Sequence, residues 1–409
     1  MELGAMVSSL FSTWQVGSLS CILIWLWASS KLNITHKLRS FVRPWVARRV
    51  LSDTHWTLLL QSKHCGFFDH FFSVLSCIVS IPFYTGFLPL LFWSGHSKLG
   101  RQMTLLIAFA DYVGNSLKDL VSAPRPSCPP VRRVIVTADD EENAMEYGLP
   151  SSHVLNTVCL SGYLLHYYLS YSDQREDITQ ILVGLTAVFM LVILIGLGRI
   201  YLGMHSFIDV ISGVCIGVII LVIWLAADSY VDDFIVYGQN VTFFWAVLSV
   251  LLCFAYPKPE LLTPSFDYHS AFSGVALGIV AGIQQTYHHH HHEKAPRIFT
   301  PQLPLPTFIA RVLVGIPTIL AVKMCGKTIA KFLLPLICNS LGIAVTSTCY
   351  VPSLKGGSLS SKNKSKGFYS RCFIQKTCNI DTGIRFLQYA GLAWSVVDLV
   401  PSLFNHLKL

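Results

Sequence analysis

Apolar runs of about twenty residues, the length that crosses a bilayer as a helix, recur along this 409-residue chain. Only 13% of its residues are charged and 53% are hydrophobic, with a mean hydropathy of +0.54. A soluble domain carries roughly 25% charged residues, so this chain lacks the polar surface to face water all round. Backbone groups in lipid must be satisfied internally, and runs of this length do so as helices. The expected fold class is an all-α polytopic membrane protein. Candidate spans lie near 14–31, 69–95, 99–120, 153–171, 178–197, 207–227, 241–256, 270–287, 306–323, 328–349 and 386–404. With weak runs read as re-entrant or interfacial, this gives about eight to eleven crossings.

The net charge of +8 sits between the apolar runs, which reads as topology signalling rather than as a nucleic-acid stripe. The cysteines, such as Cys77, Cys159, Cys215 and Cys253, are scattered in apolar segments without a CxxC pair, and read as small buried hydrophobes. The chain divides into an N-terminal segment (1–67) with a first span or signal anchor and a basic stretch, a membrane core (68–230), and a multi-span extension (231–409). Residues 351–385, rich in Lys, Ser and Gly, have a loop-forming composition and by the positive-inside rule lie in the cytosol. Counting spans back from there places 121–150 and 198–206 together on the opposite, non-cytosolic face. The same count places basic 32–66 on that face too, against the rule. Either 69–95 is a hairpin broken near Pro82 and Gly86, or the basic stretch is an interfacial helix.

Ionisable residues at membrane depth are costly and are functional candidates by default. They gather in three stretches here. One span ends in Lys118 and is followed by Arg125-Pro126, another opens with Pro150-Ser151-Ser152-His153, and Gly198-Arg199 leads through His205 to Asp209. The span count brings all three to one membrane face. Two arginines and a lysine at one point repel one another unless an anion lies among them, and the guanidinium fork suits phosphate oxygens. Ser151 adds a hydroxyl at a helix N-terminus, where amides and dipole favour an anion. His205 and Asp209, four apart, share a helix face. A carboxylate on one ring nitrogen leaves the other free to attack, and His153 is placed to protonate a departing alkoxide. This chemistry requires no metal and no cofactor.

These stretches resemble the signature of the type 2 phosphatidic acid phosphatase superfamily, KxxxxxxRP, PSGH and SRxxxxxHxxxD. Lys118, Arg125 and Pro126 match the first element, Pro150, Ser151 and His153 the second, and Arg199, His205 and Asp209 the third. Ser152 replaces the usual Gly and Gly198 the usual Ser. The stretches EYGLPSSHVLNT and RIYLGMHSFIDV, with the long extension after residue 227, look most like the sphingoid long-chain-base 1-phosphate phosphatase branch, especially its plant members. The resemblance implies a six-helix core with additional C-terminal transmembrane helices and a multi-pass endoplasmic reticulum enzyme. It implies a phosphohistidine at His205, oriented by Asp209, with His153 as general acid. Lys118, Arg125, Ser151, Ser152 and Arg199 become phosphate ligands, Ser152 through its backbone amide. The expected substrate is a long-chain sphingoid base 1-phosphate in the bilayer, with a lumenal site.

Singly, each residue has an ordinary explanation. Lys118, Arg125 and Arg199 could snorkel to headgroups, and Asp209 could serve a helix dipole. Their joint spacing is what argues for a site. Gly213 and Gly217 form a GxxxG explained by close helix packing. His288 to His292 reads as a solvated tract rather than a metal site, and the acidic run Asp139 to Glu142 as a solvated loop, with guarding of the site entrance as the alternative. Competing functions are broader action on phosphatidate or lysophosphatidate, an anion transporter, and an inactive lipid-binding scaffold.

Overall fold

The computed structural model describes residues 12–171, 178–292, 295–340, 342, 344–346 and 377–409. The all-α expectation holds. The helices are α1 (Thr13–Leu32), α2 (Ile34–Gln61), α3 (Gly66–Ser76), α4 (Ile81–Trp93), α5 (Ser97–Val121), α6 (Ala138–Ala144) and α7 (Ser152–Tyr171). They continue as α8 (Ile178–Tyr201), α9 (Phe207–Tyr237), α10 (Val241–Ala255), α11 (Ser265–Thr286), α12 (Leu305–Ser340), α13 (Ile380–Val397) and α14 (Leu399–Leu407). Two three-residue strands, Ala344–Thr346 and Thr377–Asn379, pair in parallel. By length and composition alone, α8, α9 and α12 can each cross a membrane, as can the α3–α4 pair, bent by 50°.

Contacts at the helix ends sort the rods onto two faces. On one face Ser151 N donates to Asp209 O at 3.0 Å, joining the starts of α7 and α9. There too Tyr256, beyond α10, donates to Asp119 of α5 at 2.7 Å, and Ser265 at the start of α11 donates to Glu146 at 3.2 Å. On the other face Gln15 of α1 donates to Gln239 O at 3.1 Å, and Trp93 at the end of α4 donates to Val396 O at 3.1 Å. Thus α1, the α3–α4 pair, α5 and α7 to α13 run alternately between the faces. The central rod is α5, in which Met103, Leu106, Ile107 and Ala110 are fully buried. Its Arg101 forms a buried ion pair with Asp232 of α9.

The basic stretch 32–66 takes the second form considered above, an interfacial helix. A left-handed Asn33 (φ 49°) breaks α2 from α1. Along its length α2 bonds to the ends of other helices and to the loops beside them. Arg39 donates to the carbonyls of Leu120 and Asp119 at 3.0 and 2.8 Å, Asp53 accepts from Ile208 N at 3.0 Å, and Gln61 donates to Tyr201 O at 2.8 Å. It therefore lies across one face of the bundle rather than through it.

The expected spans 306–323 and 328–349 are instead one helix, the 36-residue α12. At 1.5 Å per residue it is about 54 Å long, well beyond a hydrocarbon core of about 30 Å. Pro317 and Pro335 lie inside it without ending it. Lys323, Lys327 and Lys331, read as a break in hydropathy, fall four apart and form one polar stripe. One fewer crossing reverses the span count. The residues after the strand Thr377–Asn379 begin α13 on the face of α11's start, where Thr382 donates to Asp267 at 3.4 Å and Arg385 lies 3.8 Å from it. The segments flanking 347–376 thus lie on the same face as 121–150 and 198–206, not opposite. Of the loop expected at 351–385, residues 351–376, with the Asn363-Lys364-Ser365 sequon, lie outside the described residues, whereas 377–385 are a strand and the first residues of α13 rather than loop.

The GxxxG expectation is met where α9 crosses α7. A Cβ on Gly213 would lie 2.8 Å from Ser151 O, and one on Gly217 3.0 Å from Leu155 O. Gly217→Leu should force this crossing apart and cost about 1–3 kcal/mol, read as a lowered midpoint in thermal unfolding of the detergent-solubilised protein.

Candidate functional site

The end of α5 supplies the first cation. Lys118 is 1% exposed and its ammonium pairs with the Glu146 carboxylate. A left-handed Ser122 (φ 51°) then stops α5 and sends the chain through Arg125, which is 3% exposed. Arg125 Nε donates to the Glu146 carbonyl at 2.9 Å, and Nη1 donates to the Met204 carbonyl and to His205 Nε2, the latter at 3.1 Å. Its Nη2 lies 3.8 Å from the Glu146 carboxylate. Burial lowers the Arg125 pKa to about 9, opposed by Glu146, which leaves it protonated at neutral pH.

The third cation, Arg199, ends α8 with no exposure. Its Nη1 lies 3.7 Å from Asp140 Oδ1 and donates to Ser76 Oγ at 3.4 Å. Nε and Nη2 are buried without a hydrogen bond. Directly after it the chain turns at Gly203, whose φ is +71° and where a Cβ would lie 2.2 Å from Arg132 O. Only glycine fits that turn, and the turn carries His205 back over α8, with Met204 N donating to Arg199 O at 3.1 Å. Gly198 also has a packing reason, because a Cβ there would lie 2.7 Å from the Phe72 ring.

His205 is 1% exposed. A guanidinium only donates, so the Arg125 contact places a lone pair on Nε2 and the proton on Nδ1. Burial, then the charges of Arg125, Arg199 and Lys118, hold this imidazole well below the usual histidine range and keep it neutral. Nδ1 faces Asp209 Oδ2 at 3.7 Å, longer than a hydrogen bond. The same Oδ2 accepts from Ser206 N at 2.8 Å, so Asp209 also caps the start of α9. The expected pairing is present in alignment, and the ordinary dipole reading of Asp209 holds beside it.

At the start of α7, Ser151 spends its amide on Asp209 O, while the hydroxyls of Ser151 and Ser152 are both buried without a hydrogen bond. His153, 9% exposed, faces a cavity lined by Ser76, Ser80, Asp140 and Asn143. The field of Arg199, Lys118 and Arg125 reaches both histidines. All the residues picked from sequence therefore meet in one place. Two neutral-capable imidazoles, three cations, two hydroxyls and unspent guanidinium N–H groups form a buried cluster whose chemistry suits a tetrahedral oxyanion.

Sequence reasoning missed Glu146 and Asp140. Buried charges persist only when paired, so three buried cations called for carboxylates nearby. The acidic run read as a solvated loop in fact opens α6, where Thr137 and Asp140 form a capping box and Asp140 reaches Arg199. The polyhistidine tract closes α11 as a π-helical turn, with His291 buried between Ser97 Oγ at 3.1 Å and Val397 O at 2.6 Å. Among the described residues no group of three or more His, Cys, Asp or Glu is placed to hold a metal.

The sequence profile of the PAP2 superfamily matches residues 100–232, the stretch from the start of α5 into α9. The chain is 58% identical over 405 residues to lipid phosphate phosphatase delta of Arabidopsis thaliana, covering 97% of each chain. It is 29% identical over 324 residues to a dihydrosphingosine 1-phosphate phosphatase of Schizosaccharomyces pombe, covering 78% of this chain and 75% of the other. With sphingosine-1-phosphate phosphatase 1 of Rattus norvegicus it shares 27% over 337 residues, covering 79% and 68%. No solved structure matches it. On the near-complete overlap with the Arabidopsis protein and the profile match across the motif-bearing helices, this chain belongs to the PAP2 superfamily.

Proposed function

We propose that this protein is a membrane lipid phosphatase that hydrolyses long-chain sphingoid base 1-phosphates to the free base and inorganic phosphate. The observation that carries the reading is the meeting of His205 Nε2, His153 and three buried cations at the ends of membrane-crossing helices. The Arabidopsis relative carries the broader name of a lipid phosphate phosphatase, and the Schizosaccharomyces and rat relatives are named for sphingoid substrates. The cations cluster at one end of the bundle rather than along several rods, which favours a reaction site over an anion pathway.

In this mechanism the neutral Nε2 of His205 attacks phosphorus in line with the ester oxygen. The N–P bond forms as the P–O bond breaks, and His153, protonated once the phosphate dianion offsets the field of the three cations, gives that proton to the departing alkoxide. Arg125, Arg199 and Lys118 take up the charge that shifts onto the phosphoryl oxygens, as preorganised electrostatic stabilisers. Asp209 orients the imidazole and balances its developing positive charge. Water then attacks the phosphohistidine, His153 accepts its proton, and the N–P bond breaks to release inorganic phosphate.

We place the enzyme in the endoplasmic reticulum membrane with the site towards the lumen. On this fold the charge rule runs the other way, because basic α2 and the flanks of 347–376 share the site's face. Asn363-Lys364-Ser365 tests the orientation: a lumenal site predicts glycosylation of this sequon in microsomes, whereas cleavage of this segment by protease added outside sealed microsomes would put the site in the cytosol.

His205→Ala should lower turnover at least about 10³-fold without loss of membrane insertion, and should abolish an alkali-stable, acid-labile phosphoprotein. Full activity in that variant would refute the nucleophile. Arg199→Lys loses the planar fork and should cost about 10²-fold in kcat/KM. Hydrolysis should continue in chelator, and vanadate should inhibit it. Equal kcat/KM values for sphingoid base 1-phosphate, lysophosphatidate and phosphatidate in mixed micelles would replace the narrow substrate with the broader one.

A further inference from the structure

Beneath the cationic cluster, two helices carry polar residues down into the membrane. On α5, Lys118, Asn115 and Asp111 follow one another at spacings of three and four, so they form one row. Asp111 lies about 10 Å deeper than Lys118 along the helix axis. On α7, His153 and Asn156 form a second row. Asp111 is 7% exposed, and its carboxylate accepts from Asn115 Nδ2 at 2.9 Å. Among the described residues no cation forms an ion pair with it. Asn156 Oδ1 is likewise buried without a hydrogen bond.

These groups share one cavity with His153, Ser152 and Tyr84. Tyr84, Ile81 and Phe272 also line the next cavity inward. That one is a slot between α4, α11 and α13, with walls from Leu88, Phe92, Ile279 and Val396 that are almost wholly apolar. A phosphate-binding end, a polar section lined by the Asp111 and Glu146 carboxylates, the latter already paired with Lys118, and an apolar slot thus follow one another from the membrane face inward.

We propose that the polar section is a head-group subsite in which Asp111 pairs with an ammonium two carbons from the phosphate ester, and that the slot holds the one hydrocarbon chain of the same lipid. The proposal rests on the reading that the protein hydrolyses a lipid phosphate, and it supplies a physical basis for choosing among such lipids. A carboxylate at membrane depth is costly without a cation, and an amino-alkyl phosphate brings that cation as part of the substrate. Lysophosphatidate offers one chain and a hydroxyl but no positive charge. Phosphatidate likewise lacks the positive charge. Asn115 and Asn156 flank the carboxylate with the amide donors and acceptors that a neighbouring hydroxyl would use.

The test compares the purified full chain with its Asp111→Asn variant on dihydrosphingosine 1-phosphate and on lysophosphatidate of matched chain length. The variant should lose about 30-fold or more in kcat/KM on the amine substrate, the cost of removing one partner of a buried charge pair. Lysophosphatidate hydrolysis should stay within about two-fold. N-acetylated dihydrosphingosine 1-phosphate, which lacks the charge, should be a poor substrate for wild type and should suffer no further loss in the variant. Equal losses on both lipids, or no loss on either, would overturn the subsite while leaving the phosphatase reading intact. A wild-type protein inactive on both lipids would overturn the phosphatase reading and the subsite with it.

Discussion

Three cations buried within one small volume at the end of a membrane bundle repel one another, and the rest of the site is arranged around that repulsion. Glu146 meets it from the loop before α7, taking Lys118 on its carboxylate and Arg125 on both its carboxylate and its carbonyl. Asp140 meets it from α6 beside Arg199. Buried ions of this kind add little net stability over apolar packing, but removing one partner strands the other. The cluster is therefore kept for what it can do to an anion. In the proposed reaction, a phosphoryl group arriving there exchanges carboxylate contacts for its own oxygens, in surroundings already organised for negative charge.

The same electrostatics govern His205, the proposed nucleophile. Arg125 donates to His205 Nε2, which fixes the tautomer from the attacking side, while Asp209 faces Nδ1 from the other. Burial, aided by the neighbouring cations, keeps the ring neutral, the form in which an imidazole nitrogen has a lone pair to give. Asp209 divides its oxygen between orienting the ring and capping α9, so the placement of the nucleophile and the start of that helix are a single local structure.

The catalytic candidates were legible because their spacings are local: Lys118 to Arg125, Pro150 to His153 and Arg199 to Asp209 each lie within one turn region or helix end. Glu146 and Asp140 were not, since their partners are distant in sequence and an acidic run beside a loop reads equally well as solvated. Helix type was legible from apolar runs, but the junction near Met324 was not. Three lysines on one stripe lower the hydropathy of α12 without interrupting its backbone, and a count of crossings built on that dip loses its parity. The basic stretch at 32–66 was read as a conflict of charge. Its resolution needed the pattern of buried Val46, Val50, Thr57 and Gln61, which only the packing against other helix ends explains.

That stretch has a mechanical consequence. Through Arg39, Asp53 and Gln61, α2 ties together the terminal backbone groups of α5, α9 and α8, the three rods whose ends present Lys118, Asp209 and Arg199. It acts as a crossbeam that sets their relative heights. A vertical slip of one rod by a single residue would move its functional side chain by about 1.5 Å, enough to spoil alignment on a group as small as phosphate. The alignment of the reacting groups is thus held in part by a segment that contributes no atom to the chemistry.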